Sequence, residues 1–251
     1  MQNLLLFCKQ LKSKSNPRKA KILQGFFKIE KGEYGEGDVF LGLTSAQIKE
    51  IAYKFKDLSL KEIQELLKSK IHEERVAALR ILAHKFQSQS CDTITRDSTI
   101  TCDSRQKERK KIFDFYLKNT ENINNWDLVD LSAPKIVGEY LFTTTRSSKQ
   151  ILYKLARSKN LWERRIAIIS TFAFIRQNKF EDTLKISKMF LSDKHDLIHK
   201  ATGWMLREVG KRSQTILEKF LKIHYKNMPR TMLRYAIEKF PEKKRKGYLN
   251  A

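Results

Sequence analysis

Apolar residues that recur at spacings of three and four, in one short segment after another, limit the folds open to this chain more than any other feature. In DLIHKATGWMLREVGKR, Ile198, Thr202, Met205 and Val209 share one helical face, a stripe suited to burial against a neighbouring helix. Another face carries Lys200, Trp204, Arg207 and Lys211 at spacings of four, three and four. Two arrangements fit that face. Trp204 packs across an adjacent helix while its basic neighbours extend to water, or its ring meets a base or sugar while the cations hold a phosphate backbone.

The same period runs through the first half of the chain. Pro17 suits the first turn of a helix after the break at Ser15 and Asn16. The segment PRKAKILQGFFKIEKG sets an apolar stripe of Ile22, Phe26 and Ile29 beside Arg18, Lys19, Lys21 and Lys28. It is read either as a flank of the same anion site or as a basic surface helix with aromatic core residues. Thr44 opens a further helix, Ser59 with Glu62 forms a capping box, and IHEERVAALRILAHKF carries a stripe of Val76, Leu79, Ala83 and Phe86. No series of strands and turns competes, so the expected class is all-α. The stretch GEYGEGDVFLGL at 32–43 lacks the order of a G-x-G-x-x-G loop after a strand and has no G-K-S/T ending, which argues against a nucleotide cradle. It reads as a conformationally demanding connector whose Tyr34 and Phe40 dock onto the body. Residues 87–105, rich in Ser, Thr and Asp, read as an exposed inserted loop, with TITRDSTIT able to form a small hairpin.

In the second half, Asn125 can cap WDLVDLSAPKIVGEYLF, with Leu128, Leu131, Ile136, Val137 and Leu141 as packing surface. Trp126 and Asp130 share a face, and Asp127 lies at the favourable N-terminal end of the helix dipole. Pro134 has no N–H for the Asp130 carbonyl, so the helix should bend or restart there. Asp130 is either an acid set beside a tryptophan for use or a carboxylate paired with a lysine or arginine. Asn160 with Glu163 caps the next helix, and the apolar run from Ile166 to Ile175 should be covered on several sides. Arg165, beside that run, suits a phosphate or a structural carboxylate. Trp126, Arg165 and Trp204 are 39 residues apart in each interval, a length that fits HEAT-class helical pairs and a concave face. The last segment places Pro229 at a first helical position and Leu233, Ala236, Ile237 and Phe240 on a stripe; KKRK at 243–246 is a DNA contact or a solvated end.

The 251 residues form one expected domain, 1–251, and hold 51 Lys and Arg against 28 Asp and Glu, a formal charge of +23. Such an excess points to a polyanionic partner, with nucleic acid first among them. The three cysteines, Cys8, Cys91 and Cys102, form no zinc-ligand cluster, and the simplest setting is a reduced cytosol; a Cys91–Cys102 disulfide is the alternative. The histidines, among them His195 and His199 at i and i+4, complete no metal site. No apolar run reaches membrane-span length, and MQNLLLFCKQLKSK is too short and too soon charged for a signal peptide. A soluble cytoplasmic monomer, nucleoid-associated when bound to DNA, is expected.

With these patterns in view, NNWDLVDLSAPKIVGEYL, LWERRIAIISTFAFIR and DLIHKATGWMLREVGKR resemble the DNA alkylation repair family of HEAT-like glycosylases over most of residues 16–248. The resemblance implies an α-α superhelix of HEAT-like repeats with a concave basic face. It also implies hydrolysis of the N-glycosidic bond of N3- or N7-alkylated purines in double-stranded DNA without metal or organic cofactor. It assigns Asp130 as the catalytic carboxylate, Trp126 and Trp204 as aromatics against the lesion nucleotide, Arg165 as a phosphate contact, and Arg207 as the arginine after the second tryptophan. Phe26 stands where the family often has a tyrosine, and Lys28, Lys200 and Lys211 are further candidate DNA contacts. A monofunctional hydrolase follows, because no lysine nucleophile is needed. The alternatives are a non-catalytic nucleic-acid-binding HEAT protein and a protein-binding scaffold.

Overall fold

The computed structural model describes residues 2–90, 101–144 and 149–250. Among them regular structure is helical, and β pairing is limited to an isolated bridge between Val39 and Ile71, so the expected all-α class holds. The chain divides into two compact units, Met1–Ser132 and Ala133–Ala251.

The first unit contains α1 (Gln2–Ser13), α2 (Pro17–Phe26), α3 (Ser45–Lys54), α4 (Leu60–Leu67), α5 (His72–Ser88), α6 (Cys102–Lys118) and the start of α7 (Trp126–Ala133). The sequence signals act where they stand. Pro17 occupies the first turn of α2 behind the Asn16 cap, and Thr44–Gln47 and Ser59–Glu62 form capping boxes at α3 and α4. Helix α5 packs against α1, α3, α4 and α6. Its apolar face therefore extends beyond the expected stripe to Ala77, Ala78, Ile81 and Leu82, all buried.

Two expectations are corrected in this unit, the reading of Ile22 and Phe26 as core residues and the bounds of the polar stretch. Ile22 and Phe26 are 71% and 62% exposed, and α2 buries none of its residues. The helix ends at Phe26, and Lys28, at a φ of 52°, turns the backbone, so Phe27 becomes the buried aromatic instead. The polar stretch at 87–105 is trimmed by helix at both ends, because α5 reaches Ser88 and the Thr101 hydroxyl accepts the Ser104 N–H to start α6. Most of TITRDSTIT, and Cys91 of the considered disulfide, lie outside the described residues.

The glycine-rich connector is fastened rather than loose. Gly42 has a φ of 84°, and a Cβ there would stand 2.2 Å from the Asn16 carbonyl oxygen, so only glycine fits. Phe40 is buried as expected, and the Val39 and His72 N–H groups donate to the Lys70 and Val39 carbonyls.

The second unit opens on a π turn at Pro134–Gly138, which takes up the missing Pro134 N–H without the helix restart that was one expectation. It runs unbroken into α8 (Glu139–Thr143) and is followed by α9 (Gln150–Ala156). It then holds α10 (Leu161–Ser170), α11 (Phe172–Arg176), α12 (Glu181–Met189), α13 (Asp196–Arg212), α14 (Gln214–His224), α15 (Arg230–Ala236) and α16 (Glu242–Asn250). Helix α9 packs on α10 and α12 on α13, while α10, α13 and α15 pack in succession, which is a helical-repeat architecture. Gly203 makes the last of these contacts possible, since a Cβ there would lie 2.5 Å from the Met232 carbonyl oxygen of α15. Pro229 stands one position before α15 rather than within its first turn.

The repeat has a different register from the one its landmarks suggest. Trp126 is the first residue of α7, Arg165 the fifth of α10 and Trp204 the ninth of α13, so the 39-residue intervals join inequivalent positions. The preceding residues Asn125, Asn160 and His195 are 35 apart, and each accepts a first-turn N–H through its side chain. That capping position is the structural period.

Candidate nucleic-acid interface

In the first unit, Asn125 is fully buried and its side-chain oxygen accepts the Trp126 N–H at 2.8 Å. This fixes where the Trp126 ring leaves α7. The ring stacks on Phe27 with centroids 5.3 Å apart and planes 14° apart, and meets Phe26 edge-on at 5.8 Å. Trp126 remains half-buried, and exposed Phe26 and Lys28 stand at the turn beside this cluster. Asp130 follows one helical turn after Trp126 and is also half-buried. Its charge reaches the interior: burial pushes the Tyr116 phenol up and Asp130 adds to that shift, against a 3.0 Å hydrogen bond to Ser132.

Behind Trp126 lies a buried polar cluster that the sequence reading missed. His72 Nε2 is 2.8 Å from Asp127 Oδ2 and its Nδ1 is 3.1 Å from Asp38 Oδ2. Arg75 Nη2 reaches the same Asp38 oxygen at 2.6 Å. The neighbouring Glu73 carboxylate accepts N–H groups of Leu41, Gly42 and Leu43 from the connector. Burial opposes the charge on His72, but its hydrogen bonds to Asp127 and Asp38 outweigh this and raise its pKa to about 9. Burial likewise opposes the Asp38 charge, and His72 and Arg75 together hold its pKa below the usual carboxylate value. One signal for the cluster was present: an apolar run as continuous as VAALRILA requires cover on all sides, and such cover extends to the HEER that precedes it.

In the second unit the stripe of Ile198, Thr202, Met205 and Val209 is fully buried, as its period demands. Trp204 is half-buried, lies 6.3 Å from the Phe172 ring, and donates its indole N–H to Glu208 at 3.1 Å. The cations around it have acidic partners. Lys200 pairs with Asp196 at 2.6 Å, Lys211 with Glu208 at 2.7 Å, and Arg207 with Glu238. Arg165 is 5% exposed and donates to the Leu197 carbonyl at 2.7 Å, while its neighbour Arg164 pairs with Asp193 at 2.8 Å.

His195 and His199 serve the chain locally, the first capping α13 and the second bonding to the Asp193 carbonyl. Among the described residues no group of three His, Cys, Asp or Glu side chains is placed to hold a metal ion, and no helix is long and apolar enough to cross a membrane.

Successive packed helices carrying tryptophans with acids and cations beside them define a helical-repeat protein with candidate nucleic-acid contacts in each unit. A family model described as "DNA alkylation repair enzyme" matches residues 7–240, and the chain belongs to that family. A solved structure described as a predicted DNA alkylation repair enzyme from Enterococcus faecalis has the same fold. It gives a TM-score of 0.66 at 16% identity, covering 91% of this chain and 97% of that one. No curated protein sequence matches the chain.

Proposed function

We propose that this protein is a monofunctional DNA glycosylase that hydrolyses the N-glycosidic bond of N3- or N7-alkylated purines in double-stranded DNA. The observation that carries the reading is family membership across residues 7–240 in a chain that sets Asp130 one helical turn from an anchored Trp126. Alkylation at N3 or N7 leaves the purine positively charged, so it departs with the bonding electron pair as a neutral base. The deoxyribose gains oxocarbenium character as the bond breaks. The Asp130 carboxylate stabilises that charge and orients the water that adds to C1′, releasing its proton to the carboxylate or solvent. Trp126, backed by Phe27 and flanked by Phe26, offers a π surface to the cationic nucleotide. Trp204 is a further aromatic contact to the DNA, with Lys28 and, on release from their acidic partners, Lys200, Arg207 and Lys211 as phosphate contacts. Arg165, buried on the Leu197 carbonyl, holds the start of α13. The excess of 51 basic over 28 acidic residues supports a polyanionic partner. The protein works as a cytoplasmic monomer that associates with the nucleoid through DNA.

A second reading, non-catalytic DNA binding, draws on α13, where the cations that flank Trp204 pair with acids of their own unit. One assay separates the two. Incubation with methylated duplex DNA should release free N7-methylguanine or N3-methyladenine and leave abasic sites in unbroken strands. Binding of the methylated duplex with no base released would establish the second reading for those lesions.

A further inference from the structure

We propose that His72 is the positioning residue for Trp126, an imidazolium that bridges the glycine-rich connector to the first turn of α7 and thereby holds the Phe27–Trp126 stack. The functional consequence rests on the glycosylase reading of Trp126, whereas the geometry lies wholly within the first unit and does not.

Both ring nitrogens of His72 face carboxylates, Asp127 at 2.8 Å and Asp38 at 3.1 Å. A neutral imidazole carries a single N–H and could donate to only one of them, so the ring serves both carboxylates only in its doubly protonated form. The surroundings fit a buried cation. Asp38 and Phe40 face His72 from the connector, Phe27 from the end of α2, Asp127 from α7, and Arg75 from its own helix, with Nη2 3.3 Å from Nδ1. The Asn125 amide lies behind, 3.5 Å from Asp38 Oδ2. Two carboxylates thus balance His72 and Arg75, and loss of the imidazolium proton removes one of the two contacts by which the ring ties Asp38 to Asp127. The Phe27 and Phe40 rings lie 4.9 and 4.7 Å from the imidazole. Phe27 carries the effect outward, because the ring that meets His72 also stacks on Trp126. Asp127 carries it a second way, as the residue following Trp126 in the first turn of α7.

The test is fluorine NMR of the full chain labelled with 5-fluorotryptophan. Three resonances arise from the three tryptophans, and the one lost in W126F belongs to Trp126. In wild type the Trp126 resonance should shift between pH 7 and 10 with a midpoint near 9, while those of Trp162 and Trp204 stay still. In His72→Gln it should be displaced or broadened already at pH 7 and should lose that transition. Base excision by H72Q should slow roughly tenfold or more with DNA affinity kept, the signature of a misplaced ring. If H72Q fails to fold, the wild-type titration and Asp127→Asn decide the matter, D127N being expected to move the midpoint down. A Trp126 resonance indifferent to pH in wild type, or unchanged in a folded H72Q, overturns the inference even if bases are released. The expected fluorine behaviour without base release upholds it while defeating the glycosylase reading.

Discussion

Glu73 illustrates how a single side chain fixes the connector that surrounds the candidate site. It is almost fully buried, and its carboxylate accepts N–H groups of Leu41, Gly42 and Leu43 at 3.0, 2.8 and 3.3 Å. Glu73→Ala strands these donors in or near the interior, so it should destabilise the first unit by about 3 kcal/mol or more. Glu73→Gln, which keeps an acceptor, should cost less. Urea unfolding measured by circular dichroism checks both, and a loss under about 1 kcal/mol for E73A would show that water replaces the carboxylate. At this scale the sequence was legible where partners are close in the chain. Trp126 and Asp130 share a face at i and i+4, and the Asn125 and Asn160 caps act within a turn. It was opaque where partners are distant: Glu73 bonds 30 to 32 residues away, and His72 joins Asp38 and Asp127 across 34 and 55 residues. Phe26 and Phe27 show a second limit, since an apolar period assigns a face only while the helix lasts, and α2 ends between them.

Among the elements, α13 carries the sharpest contrast between pattern and structure. Its buried stripe followed directly from the 3.6-residue period, but its apparently cationic face is neutralised by Asp196, Glu208 and Glu238. Glu208 stands four residues after Trp204 and three before Lys211, helical spacings that set it on their side of α13, where it meets both Lys211 and the Trp204 indole. Glu208→Gln keeps an acceptor for the indole and removes the counter-charge. If this face lies on DNA, E208Q should tighten duplex binding and steepen the dependence of log K on log salt by roughly 0.9 for each additional phosphate that the freed cations neutralise. Unchanged affinity and slope would place the α13 face away from the DNA. The helical repeat itself was legible through the stripes, whereas its period was not. Conspicuous residues marked 39, and the structural interval of 35 is carried by modest capping residues at 125, 160 and 195.

For the whole molecule, charge and pH act through different groups. The formal charge of +23 is a surface property that favours polyanions. The buried His72 cluster instead links pH to stability. Its pKa is raised from 6.5 to about 9, so its contribution is complete below pH 6.5 and is lost as pH rises through 9. The loss should be on the order of 3 kcal/mol for the first unit. Unfolding monitored at Trp126 should show wild type losing its advantage over H72Q between about pH 6.5 and 9.5; a constant difference would mean that His72 does not change charge in that window. The most direct measurement of the enzymatic claim is the single-turnover rate of N7-methylguanine release from duplex DNA by Asp130→Asn, with binding measured on the same duplex. Asp130 as the group that stabilises the developing sugar cation predicts a rate lower by roughly a hundredfold or more with binding retained. Release at the wild-type rate by D130N would contradict it.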